Sequence, residues 1–180
     1  MRITFELESA DIEHFQSAFD SARQLAAGAD EVDVIDAAKQ ALDTLCIAAT
    51  PGYVRKRLVH VQRLILMLED EEWNVRGPER TEALAALAYF SDPDDLIPDQ
   101  IAVIGLVDDA IMLELLARRM RHVLMAYDKF CRFRSEHGGD GGHAAQRSER
   151  AGILARHRAE LMDELQTRRR RQQAQSEALS

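Results

Sequence analysis

Cysteine is almost missing from this chain, with only Cys46 and Cys131 among 180 residues. Two thiols in apolar, helix-like settings build no disulfide framework, so a cystine-stapled secreted fold is excluded and reduced thiols in a cytoplasm are expected. Aromatic residues make up 6% and prolines number four, against 46% hydrophobic and 30% charged residues. Those proportions fit a helical globular protein. No apolar run reaches the roughly 18 residues a membrane span needs. The nearest, residues 101 to 117, carries Asp108, Asp109 and Glu114. Such charges cost about 2.5 to 3.5 kcal/mol each at a bilayer centre. The first residues, Met1 to Glu6, lack the apolar core of a secretory signal, and a cytoplasmic location is expected. Catalytic motifs are missing too. No Ser-His-Asp or Cys-His arrangement appears, and the glycines at 138, 139, 141 and 142 lack the lysine and helix of a phosphate loop.

Charge is present, and unevenly placed. Residues 1 to 117 hold nine lysines and arginines against 23 aspartates and glutamates, a net of −14. Residues 118 to 180 hold 14 against eight, a net of +6. An acidic body with a basic tail either neutralises itself or seeks an anionic partner.

Apolar periodicity predicts an all-α fold. Ile3 to Leu7 alternates and reads as a short strand or an extended lead-in. Ser9 is placed to cap a first helix bearing Ile12, Phe15, Phe19, Ala22 and Leu25, which Gly28 ends. Asp30 starts a second helix with Val34, Ala38, Leu42, Leu45 and Ala49 on its apolar face. Thr50-Pro51 restarts the chain for a third, with Val54, Leu58, Val61, Ile65 and Leu68, stopping in the acids Glu69 to Glu72. After Gly77-Pro78 a fourth helix, about 79 to 90, is apolar on all sides beyond its first turn and is expected to be buried. A long helix then runs from Asp108 or Asp109 to about Arg134, with Met112, Leu116, Met120, Val123, Tyr127 and Phe130 on one face. The expected organisation is a compact domain of about five helices over 1–134, a glycine-rich linker over 135–146 and a separate basic amphipathic helix with a polar tail over 147–180.

Between Leu84 and Ala117, six aspartates interrupt apolar sequence. Buried carboxylates need hydrogen bonds, ion pairs or a metal. As caps, Asp92, Asp95 and Asp108 sit where helices begin. As a site, Asp95 and Asp99 share a helical face and a turn at Gly105 returns Asp108 and Asp109 towards them. Such a carboxylate set suits a divalent cation, Mg²⁺, Mn²⁺ or Ca²⁺, and metal-assisted hydrolysis. Arginines supply the same pairing in a purely structural network, for which Glu114 and Arg118 are suitably spaced. His60 and His122 read as structural, and Cys131, His137, Asp140 and His143 fit no zinc spacing.

The order Tyr89, Pro93, Asp95, Leu96, Ile97, Pro98, Asp99, then Gly105, Asp108 and Asp109, resembles the bacterial YkvA-like family, a domain of unknown function (DUF1232). The resemblance covers about residues 83 to 134, with the hairpin module at about 79–134, and implies a helical hairpin with no known reaction. It also brings contact with the inner membrane face into view. Asp94 and Gln100-Ile101-Ala102 depart from the pattern and leave the acids in place.

The tail carries Leu154, Leu161 and Leu165 in a thin stripe, followed by Arg168, Arg169, Arg170 and Arg171. The stripe suits a protein partner or self-association, and the arginines suit an anionic surface, including peripheral contact with a membrane. Nucleic acid is disfavoured, because acids dilute the charge and stacking aromatics are lacking. The expected function is a non-enzymatic interaction or regulatory module with a structural aspartate network. The alternatives are a divalent-metal protein or hydrolase and a peripheral membrane protein.

Overall fold

The computed structural model describes residues 9–44, 52–91, 114–137 and 144–177, which are mainly helical, with no strand among them. The helices are α1 (Ser9–Gly28), α2 (Glu31–Thr44), α3 (Gly52–Glu69), α4 (Pro78–Phe90), α5 (Arg121–Glu136) and α6 (Ala144–Glu177). Residues 114–119 are also helical. The all-α expectation holds. The alternating stretch Ile3 to Leu7, Thr50-Pro51 and glycines 138, 139, 141 and 142 lie outside the described residues. The chain divides into two compact units, Met1–Leu68 with Val75–Met120, and Glu69–Asn74 with Arg121–Ser180.

In the first unit α4 packs against α1 and α2. Ala83 to Leu87 are five consecutive buried residues, so α4 does bury every side beyond its first turn. Proline begins it, with its missing N–H at a position that has no intrahelical partner. The preceding Gly77 has φ +66° and ψ −148°, a conformation that a side chain resists. In α1, Phe19, Ala22 and Ala26 form the buried face, whereas Leu25 is 65% exposed. The expected stripe therefore turns one residue later than its large side chains suggest, and a small alanine sits in the packed position. Asp30 caps α2, accepting from the Val32 N–H at 2.9 Å. Arg80 gathers three helix ends. Its Nε donates to Glu31 at 2.8 Å and its Nη1 donates to the Leu68 carbonyl at 3.2 Å, one of the acceptors left open at the end of α3. The expected Glu114–Arg118 pair forms at 3.0 Å.

The long helix expected to reach Arg134 is divided by a turn at Met120, although the Met120 N–H still donates to the Leu116 carbonyl at 2.8 Å. Leu116 and Met120 are buried in the first unit, and Val123, Leu124 and Phe130 in the second, so the two segments serve separate cores.

The second unit is organised around Trp73, which is fully buried, with ring centroids 5.7 Å from Tyr127 and 5.2 Å from Phe130. The Asp70 carboxylate holds that arrangement. It accepts from the Glu72 and Trp73 N–H groups at 3.1 and 3.0 Å, from the Tyr127 hydroxyl at 3.0 Å, and from Arg134 at 2.8 Å. Arg134 also donates to Glu72 at 3.0 Å. Burial, then the neighbouring Cys131 and Asp70, push the Tyr127 hydroxyl well above its ordinary pKa. Burial works against the charge on Arg134, but Glu72 and Asp70 outweigh it and raise its pKa.

Candidate functional site

The residues expected to form a metal site, Asp95, Asp99, Asp108 and Asp109, lie outside the described residues, as do Pro93, Pro98 and Gly105. Tyr89 is described, half-buried in the last turn of α4. Among the described residues no group of three or more His, Cys, Asp or Glu side chains gathers in a way that could hold a metal. Asp140 and His143 of the considered Cys131 set are likewise outside. What the structure does describe is the basic tail and the helix it packs on.

Helices α5 and α6 pack against each other. Three pairs show that they run antiparallel. Phe133 stacks on His157 at 3.9 Å between centroids, Lys129 meets Glu164 at 3.8 Å, and Arg168 meets His122. As the number rises along α5 it falls along α6. Phe133 is also stacked on His137, one turn further along, at 3.9 Å. On α5, Tyr127, Phe130 and Arg134 turn to the Asp70 node, while His122, Met125, Ala126 and Lys129 turn to α6, each set at helical spacing. On α6, Leu154 and Leu161 are buried within the chain and Leu165 is half-buried. Much of the leucine stripe expected to meet a partner is thus already used inside the protein.

A groove of about 510 Å³ lies along this seam, lined by Met125, Leu161 and Leu165 and by the polar His122, Lys129 and Arg168 among others. Of the four consecutive arginines, Arg168 and Arg171 line the groove, being one turn apart. Arg170 is exposed and Arg169 is half-buried. Arg168 lies against both nitrogens of His122, 3.3 Å from Nε2 and closer to Nδ1. A guanidinium has donors only, so the imidazole accepts and is neutral in this arrangement. Burial first, then the charges of Arg168 and Arg121, lower the His122 pKa.

The register also shows what α6 does beyond the seam. With Arg168 opposite His122, the helix after Arg169 has run past the first residue of α5, and residues 170–175 are all exposed. At about 1.5 Å per residue, residues 170 to 177 extend α6 about 12 Å past the start of α5. No helix among the described residues is long and apolar enough to cross a membrane.

The Asp70 node escaped the sequence reading because Glu69 to Glu72 looked like an acidic helix stop. The usable signal was the only tryptophan of the chain, Trp73, directly after that run. The groove was legible as two facing helical series, His122, Met125 and Lys129 against Leu161, Leu165 and Arg168, although no single residue of either is distinctive.

The helical architecture and the segment beginning in α4 define an all-α protein with an acidic motif after Tyr89. Residues 79–115, about a fifth of the chain, match the family model described as "Protein of unknown function (DUF1232)". The match does not carry the narrower YkvA-like name, and its description carries no activity. Searches of the curated proteins and of the solved structures gave no match.

Proposed function

We propose that the protein is a non-enzymatic interaction module that captures acidic protein surfaces with the projecting end of α6. One observation carries this reading: residues 165–176 contain Arg168, Arg169, Arg170 and Arg171 and no acid, and their outer part is exposed on all sides. A row of arginines on a projecting helix attracts anions and speeds encounter with an acidic surface. Residues 166–176 have Ala174 as their single apolar residue, which gives no face for insertion into a bilayer. They also lack an aromatic on which a base would stack. An acidic protein surface fits what remains. The chain's own residues 1–117, at net −14, have the charge such a surface needs, so a second copy is one partner of the right kind.

The test compares the natural chain with the variant in which Arg168, Arg169, Arg170 and Arg171 are all glutamine. Fluorescence anisotropy of a labelled glutamate-rich peptide should show binding to the first and little to the second. Equal binding by both chains overturns the reading. Binding to anionic vesicles or duplex DNA in place of the peptide overturns the choice of a protein partner.

A further inference from the structure

The seam between α5 and α6 has two characters side by side. Its floor is apolar, formed by Met125, Leu161 and Leu165, and Met125 is 46% exposed. Methionine on an open groove adapts to varied apolar partners. One end of the groove is cationic, with Arg168 and Arg171. Among the described residues neither has a carboxylate partner, and Arg168 spends one donor on the neutral His122. At the other end Lys129 is already matched by Glu164 at 3.8 Å, and Asp163 is a second acid of the lining. The lining thus holds three cationic side chains against two acids, and Arg168 and Arg171 sit one helical turn from the apolar Leu165, about 5 Å along α6.

We infer that this groove binds an acidic amphipathic helix, seating an apolar side chain on Met125 and Leu165 and a carboxylate one turn away on Arg168 and Arg171. The inference rests on the reading of α6 as the docking element and names the partner it takes. Charge complementarity selects the carboxylate, because arginine presents a fork of donors that matches it in two bonds. Helix-in-groove recognition reads apolar anchors at i and i+4, the spacing at which an acid and a leucine share one face of a partner helix.

Two labelled peptides separate the groove from the arginine row. The first carries Glu and Leu at i and i+4 on a helix-forming background, and in the second every Leu is Gln. On the full natural chain the leucine peptide should bind about tenfold more tightly, the worth of one partly buried apolar side chain. Met125→Ser should erase that difference and leave the affinity for the glutamine peptide unchanged. Leu165→Ser should do the same, and far-UV circular dichroism checks that both variants keep their helices. A tenfold preference that survives both substitutions overturns the groove while leaving the arginine row intact. Failure of either peptide to distinguish the natural chain from the four-glutamine variant overturns the docking reading itself.

Discussion

Replacing Asp70 by alanine removes the centre of the second unit's polar network, and the cost can be built up from its bonds. The carboxylate is 8% exposed and serves the Glu72 and Trp73 N–H groups, the Tyr127 hydroxyl and Arg134. Orphaning the buried Trp73 amide costs about 1 kcal/mol, and the Tyr127 hydroxyl, which keeps Cys131 beside it, loses one bond worth about 1 kcal/mol. Arg134 is 28% exposed and keeps Glu72, so its loss is milder than that of a sealed ion pair, about 1 kcal/mol more. Asp70→Ala should therefore destabilise the unit by about 3 kcal/mol, a large share of the stability of a typical domain. Asp70→Asn keeps an acceptor for the backbone groups and should cost about half as much. Urea unfolding followed by tryptophan fluorescence is the natural assay, since Trp73 is the only tryptophan and lies against Tyr127 and Phe130. A double-mutant cycle with Tyr127→Phe should show coupling of about 1 kcal/mol. A loss below about 1 kcal/mol for Asp70→Ala would refute the view that these bonds hold the unit together.

Gly77→Ala forces a side chain into φ +66°, ψ −148° and should lower stability by about 1 to 3 kcal/mol in thermal unfolding, with no change in helix content below the transition. Ala85→Leu adds bulk where α4 is fully buried and should cost about 1 to 3 kcal/mol, whereas Leu25→Ala on the exposed side of α1 should stay within about 0.5 kcal/mol. His122 has a folded pKa below its ordinary 6.5, so the folded state binds fewer protons than the unfolded chain. Stability is then fully present above about pH 6.5 and declines as pH falls from there through the lowered folded value. His122→Gln should flatten that limb in denaturant midpoints measured across the acid range. An unchanged limb contradicts the burial of His122 beside Arg168 and Arg121.

The helices were legible because their signals are local. Asp30 caps, Gly77-Pro78 breaks and the unbroken apolar surface of α4 needed no partner to be read. Leu25 was misplaced because periodicity weights large side chains, while the small Ala26 takes the buried position. The turn at Met120 was invisible, since Leu116 and Val123 continue one apolar series while serving two cores. The six aspartates for which counterparts were expected lie outside the described residues, and Asp70, paired with Arg134 and Tyr127, was not foreseen. That partnership spans more than fifty residues of sequence, beyond the reach of local spacing. The leucine stripe was recognised as an apolar face, but charge and periodicity do not say whether such a face meets the same chain or another. The neighbouring arginines could be seen as a row, whereas their division into groove and surface members depended on the register with α5.

The salt dependence of acidic-peptide binding tests the central claim most directly. Arginines on a projecting, solvated helix act through screened charge, so affinity of the natural chain should fall steeply as salt rises towards physiological strength, where the screening length is about 8 Å. The chain with glutamine at positions 168 to 171 should bind weakly with a nearly flat salt response. Steep, equal salt curves for the two chains would contradict the assignment of docking to the end of α6.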